Sequence, residues 1–115
     1  MSTKAPEIKQ DNMYKLLREG KISEFNKLRA AGQKSDLTGA DLRGLDLRGL
    51  EAAGLDFSNA YFRQADLRGI DFSQTKLAGA SINGCKISGC LFPVELAAEE
   101  IELSLVHGTR MRYKK

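Results

Sequence analysis

His107 is the only histidine in a chain of 115 residues. Ser104 and Thr109 lie beside it and Glu102 is within helical reach, so a base, a nucleophile and an orienting carboxylate can be drawn. A histidine in the last turn of a helix is also favoured by the helix dipole alone. Nothing else in the sequence builds a pocket around these four residues. We therefore read His107 as a helix-end residue and expect no catalytic residue. Cys85 and Cys90 are five apart. A metal or redox pair needs convergent sulfurs and further ligands, which two cysteines and one histidine do not supply. They read as small apolar filler, and no metal or cofactor is implied. Four arginines remain: Arg43, Arg48, Arg63 and Arg68, with Tyr61 nearby. Arginine and tyrosine are residues that binding surfaces favour. These five are the candidate partner-binding residues, and Asp41, Asp46 and Asp66 are the charges that offset them.

The elements that position these residues follow from a repeat. From Leu37 to Phe92 every fifth residue is apolar, twelve centres without an insertion, and they include Phe57, Phe62 and Phe72. Two residues after each centre stands Gly39, Gly44, Gly49, Gly54, Gly69, Gly79, Gly84 or Gly89, or else Asn59, Gln64, Gln74 or Val94. Two residues before it the chain is often small, as at Ala40, Ala60, Ala65, Ala80, Cys85 and Cys90. Asp is common just before the centre. A period of five suits neither regular element: on a helix it scatters the centres around the axis, and on a straight strand it alternates their faces. It works only if the chain turns a corner in every unit, for which Gly and Asn are suited. Such a chain winds into a solenoid whose stacked coils pair at about 4.8 Å.

Runs such as Ala40-Asp41-Leu42-Arg43-Gly44 and Ala65-Asp66-Leu67-Arg68-Gly69 resemble the pentapeptide-repeat family over residues 35–94. The resemblance implies a β-solenoid: a right-handed, four-sided β-helix with about 20 residues per coil. Twelve units then make three coils. Leu45, Leu50, Leu55 and Ile70 stand where the family usually has a small residue, and Lys76 and Lys86 replace Asp in the last coil. Positions 20 apart stack, so Phe72 lies under Phe92, Arg43 beside Arg63 and Arg48 beside Arg68.

Residues 1–34 read as an N-terminal helical cap. Asp11 or Asn12 caps a helix containing Met13, Leu16 and Leu17 that stops at Gly20. Ser23 caps a second that buries Phe25 and Leu28 and ends at Gly32. Residues 95–115 read as a C-terminal helix over 96–107, with Ala97, Ile101 and Leu105 on one face, then a basic tail. Thr109 to Tyr113 is a short strand or strap, and Arg110, Arg112, Lys114 and Lys115 read as a solubilising terminus. Open solenoid ends need such covers.

Net charge is +3, with 18 basic and 15 acidic residues. That is far from the bias of a nucleic-acid coater. Residues 35–94 hold six basic and seven acidic residues, net −1. No apolar run suits a membrane span and none suits a secretion signal, so a cytoplasmic protein is expected. The functional expectation is a non-enzymatic protein–protein interaction module, a scaffold with a protein partner rather than nucleic acid or a membrane; a homodimer is compatible with it. The alternative, implied by the resemblance, is a DNA mimic that inhibits or protects DNA gyrase, a topoisomerase. Three coils span only about 15 Å, and the repeat is not acidic.

Overall fold

The computed structural model describes residues 5–114. Helices α1 (Asn12–Arg18) and α2 (Ile22–Ala30) precede the repeat, and α3 (Ala98–His107) follows it. Between them the chain turns every five residues. The carbonyl of a centre accepts the N–H three residues on, as from Ala60 to Phe57 (3.0 Å), Ala65 to Phe62 (2.8 Å) and Ile70 to Leu67 (3.1 Å). The residue two after the centre takes positive φ, the geometry of a type II turn, in every unit except those ending at Gln74 and Val94. In the second coil this falls on Asn59 (62°) and Gln64 (61°) in place of glycine. Gln64 has no side-chain device for that conformation, which costs a non-glycine residue about 1–2 kcal/mol.

Coils stack with a 20-residue step. Parallel bridges join Asp41 to Tyr61, Asp46 to Asp66, Asp56 to Lys76, Tyr61 to Ser81, Asp66 to Lys86 and Asp71 to Leu91. The ladder is continuous: Leu42 N–H donates to Tyr61 (2.8 Å), Tyr61 N–H to Ala40 (2.9 Å), Phe62 N–H to Ser81 (2.9 Å) and Ser81 N–H to Ala60 (3.0 Å). A corner every five residues leaves too little straight chain per side for a long strand, so pairing takes the form of single bridges.

The centres point inward. Leu37, Leu42, Leu47, Phe57, Phe62, Leu67 and Phe72 are all buried. Phe57 and Phe62 meet edge to face at 5.1 Å, Phe62 and Phe72 at 6.3 Å, and Phe72 stacks on Phe92 at 6.0 Å, as the 20-residue spacing requires. Leu50 and Leu55 are buried on either side of the small centre Ala52. The extra volume two residues before the centres is thus balanced by a smaller centre.

Both flanks cap the stack, with corrections to the sequence reading. Asp11 caps α1, its carboxylate accepting the Tyr14 N–H at 2.8 Å. Helix α2 starts before Ser23, at Ile22, and has no side-chain cap. Its Phe25 is buried but Leu28 is largely exposed, because a helix lying on a coil edge buries only a narrow stripe. Helix α3 begins at Ala98 and ends on Gly108 in the left-handed conformation (φ 76°). Its fully buried residue is Ser104, between the half-buried Ile101 and Leu105. The tail is a strap: Met111 is fully buried and pairs with Gly79 and Ala80. Arg110 and Arg112 are not merely solubilising. Arg110 bonds the Gly79 carbonyl (2.9 Å) and Arg112 the Glu100 carboxylate (2.8 Å). Lys115 lies outside the described residues. Among the described residues no helix is long and apolar enough to cross a membrane.

Candidate functional site

The repeat sets a local rule for its outer surface. An Asp just before a centre folds back so that its carboxylate accepts the N–H two residues on, as at Asp56 to Ser58 and Asp71 to Ser73 (2.9 Å each). Where that second residue is Arg, the guanidinium closes a fork on the same carboxylate. Arg43 holds Asp41 at 2.8 and 2.8 Å, Arg48 holds Asp46 at 2.9 and 2.8 Å, and Arg68 holds Asp66 at 2.9 and 2.7 Å. Arg48 also reaches Asp66 at 3.4 Å, across to the next coil. The side-chain bonds from these arginines hold Asp41 and Asp46 below the usual carboxylate range and Asp66 at about 2.

The unit Tyr61-Phe62-Arg63 breaks that rule. Tyrosine occupies the Asp position, so Arg63 has no carboxylate two residues back. Among the described residues Arg63 has no side-chain hydrogen bond or ion pair, and it is exposed. The Tyr61 ring is covered instead by Arg110, whose guanidinium carbon lies 4.7 Å from the ring centroid and whose Nη2 donates to the phenol oxygen. A recess of about 400 Å³ opens here, lined by Arg43, Tyr61, Arg63, Ser81, Asn83 and His107.

The five residues expected at a binding surface therefore separate. Arg43, Tyr61 and Arg63 line one recess, while Arg48 and Arg68 sit on the next side, tied to Asp46 and Asp66. His107, Ser81 and Asn83 line the same recess, with Arg110 against Tyr61 beside it, and the sequence reading did not place them there. The missing aspartate at position 61 was the visible signal for Arg63. No comparable signal marks Arg110, whose partners are 31 and 49 residues away.

The other candidates have structural roles. Ser104 Oγ accepts the Ile82 N–H at 3.0 Å inside the core, and no hydrogen bond joins His107 to Ser104, Thr109 or Glu102 among the described residues. The Cys85 thiol donates to the Phe62 carbonyl and the Cys90 thiol to the Leu67 carbonyl. Burial pushes the Cys85 thiol up to about 11 and raises that of Cys90, so neither is a thiolate at neutral pH. A second cleft, about 530 Å³, lies between α2 and the first coil. Its polar side chains Asn26 and Arg29 are spent on the Gly49, Glu51 and Ala53 backbone.

No curated protein and no solved structure matches the chain. Residues 56–92 match the family model of pentapeptide repeats, in 8 copies. The match begins with the second coil; the first, with Leu45, Leu50 and Leu55 where the family usually has a small residue, lies outside it but stacks in the same register. By sequence match, residues 56–92 are pentapeptide repeats, and the five-residue turning seen there runs through the whole segment 37–92.

Proposed function

We propose that the protein is a non-enzymatic interaction module whose repeat is a right-handed, four-sided β-helix, and that it engages a protein partner through the face carrying Arg43, Tyr61 and Arg63. The 20-residue stacking and the turn at every fifth residue support the helix geometry. The observation that carries the functional reading is the break at Tyr61-Phe62-Arg63. Where three other arginines of the repeat close forks on aspartates, this unit presents a half-buried tyrosine and a guanidinium with no side-chain partner among the described residues, beside a recess. Both residue types are enriched where partners bind. Two free thiols suit a reducing compartment, and we place the module in the cytoplasm.

The test compares capture of a partner by the wild-type chain, by Arg63→Glu and by Arg48→Glu. A partner held by the wild type and Arg48→Glu but lost by Arg63→Glu is the expected result. A partner retained by Arg63→Glu removes this face from the reading. Substrate turnover that disappears in His107→Ala would overturn the non-enzymatic assignment. The DNA-mimic alternative needs an acidic rod, yet Asp41, Asp46 and Asp66 each carry an arginine fork. We expect no inhibition of gyrase supercoiling at high protein excess.

A further inference from the structure

We propose that the recess beside Arg63 binds an oxyanion, the phosphate or carboxylate group of a ligand. The inference goes beyond the interaction reading, because it holds whether or not that group is carried on a protein.

Four observations carry it. The first is the unspent guanidinium. Arg43, Arg48 and Arg68 all close forks on carboxylates, and the repeat supplies none to Arg63 because residue 61 is tyrosine. Its planar set of donors matches two oxygens of one oxyanion. The second is the sign of the lining. Arg43 and Arg63 face the recess with Ser81, Asn83 and His107, and among the described residues no acidic residue lines it. Asp41, on the same side, is already held by Arg43.

The third is a neighbouring cation: Arg110 does not line the recess, but it is held behind the lining residue Tyr61, over its ring, by its bond to the Gly79 carbonyl at 2.9 Å. The fourth concerns the end of α3, where carbonyls would repel an anion. Three near the recess are occupied. Ser104 accepts from the Gly108 N–H, Leu105 from the Gly84 N–H and Asn83, and Gly108 from Ser81. At about 400 Å³ the recess is of the size that small ligands fill.

The full chain is titrated at low salt with inorganic phosphate and, separately, with a hexa-aspartate peptide, following backbone and arginine N–H signals by NMR. Saturable shifts confined to Tyr61, Arg63, Ser81, Asn83 and His107 are expected. Arg63→Gln weakens binding about tenfold, and Arg48→Gln leaves it unchanged. Arg63 is exposed and has no side-chain partner among the described residues, so its variant keeps the fold, which the unchanged remainder of the spectrum verifies. Tighter binding of phosphate assigns a phosphorylated ligand; tighter binding of the peptide assigns a carboxylate. Either supports the site. No saturation at millimolar probe, or equal affinity in Arg63→Gln, overturns it. If the probes saturate while protein capture is unaffected by Arg63→Glu, the oxyanion site stands and the protein-partner reading falls. If capture is lost but neither probe binds, the reverse holds.

Discussion

The two ends of the coil stack are closed by different means. At the first coil, separate side chains replace a missing neighbour strand. Tyr14 Oη donates to the Asp41 carbonyl at 2.6 Å, Asn26 both donates to Gly49 and accepts from Glu51 at 3.0 Å, and Arg29 holds the Glu51 and Ala53 carbonyls. Glu7 adds a pair of backbone bonds, with the Gly39 carbonyl and the Asp41 N–H. At the third coil, Ser104, Leu105, Met111 and Tyr113 satisfy Ile82, Gly84, Gly79 and Leu77. There the cover stops. Ile87, Gly89 and Phe92 have N–H groups without a partner among the described residues, and Leu91 and Val94 are exposed beside them. The first edge is open too, at the Asp46 N–H, which has no partner among the described residues; the two ends differ in how they are covered, by separate side chains from two helices at the first and by one helix and a backbone-paired strap at the last.

Substitutions can break that contrast or sharpen it. Phe62→Ala removes the aromatic at the middle of the shared core and costs about 3–5 kcal/mol. Denaturant unfolding should remain one transition that takes both ends with it; two transitions would show that the ends are separate units. Met111→Ala strips the buried anchor of the strap and costs about 2–5 kcal/mol. Hydrogen exchange should quicken at Gly79 and Gly84 and not at Asp41 or Glu51, and a uniform change would erase the distinction.

Ser104→Ala leaves the buried Ile82 N–H unsatisfied and costs about 1–3 kcal/mol. The exposed Asn26→Ala costs less, about 0.5–1.5 kcal/mol. In the wild type the Ile82 amide exchanges more slowly than that of Ile87; in Ser104→Ala the two converge. The smallest effect is in acid. Asp66 is depressed from the usual 3.8 to about 2, and Arg112 lowers Glu100. Carboxylates depressed in the folded state stabilise it fully above their unfolded values, and that contribution fades as pH falls through the folded values. Stability should therefore decline from about pH 4 toward pH 2. The Glu100–Arg112 contact places part of that acid loss at the strap.

The repeat was legible because its signal is redundant. Twelve apolar centres and their corner residues all state one period, so Ala52 at a single centre does not obscure it. The pairing of Phe72 with Phe92 followed from counting. Ser104, Asn26 and Tyr14 were not legible as edge caps. Each is one polar residue whose partner lies 22 to 27 positions away, and nothing local distinguishes it from a solvated side chain. The site was half visible. Arg43, Tyr61 and Arg63 were named from their outward phase, but Asp–Arg forks remove Arg48 and Arg68 from the unpaired set. Those forks were written in the Asp-Leu-Arg triplets, where the two charges are two residues apart around a turn. The place of His107 in the recess, and of Arg110 against Tyr61 beside it, depends on how α3 and the strap cross the third coil, which no local pattern encodes.

The register of the ladder has a consequence for how this molecule can change length. Its C-terminal cover is keyed to two sides of one coil through Leu77, Gly79, Ile82 and Gly84. Adding or deleting 20 residues returns the chain to the same side, so the molecule can grow in steps of about 4.8 Å with its cover still fitting. Adding five leaves every turn intact but shifts the strap and α3 a quarter of the way around the outline, away from the second-coil tyrosine that anchors Arg110. Duplication of whole coils is then the permitted route to a longer relative, and the single pentapeptide, although it is the unit of sequence, is not the unit of inheritance.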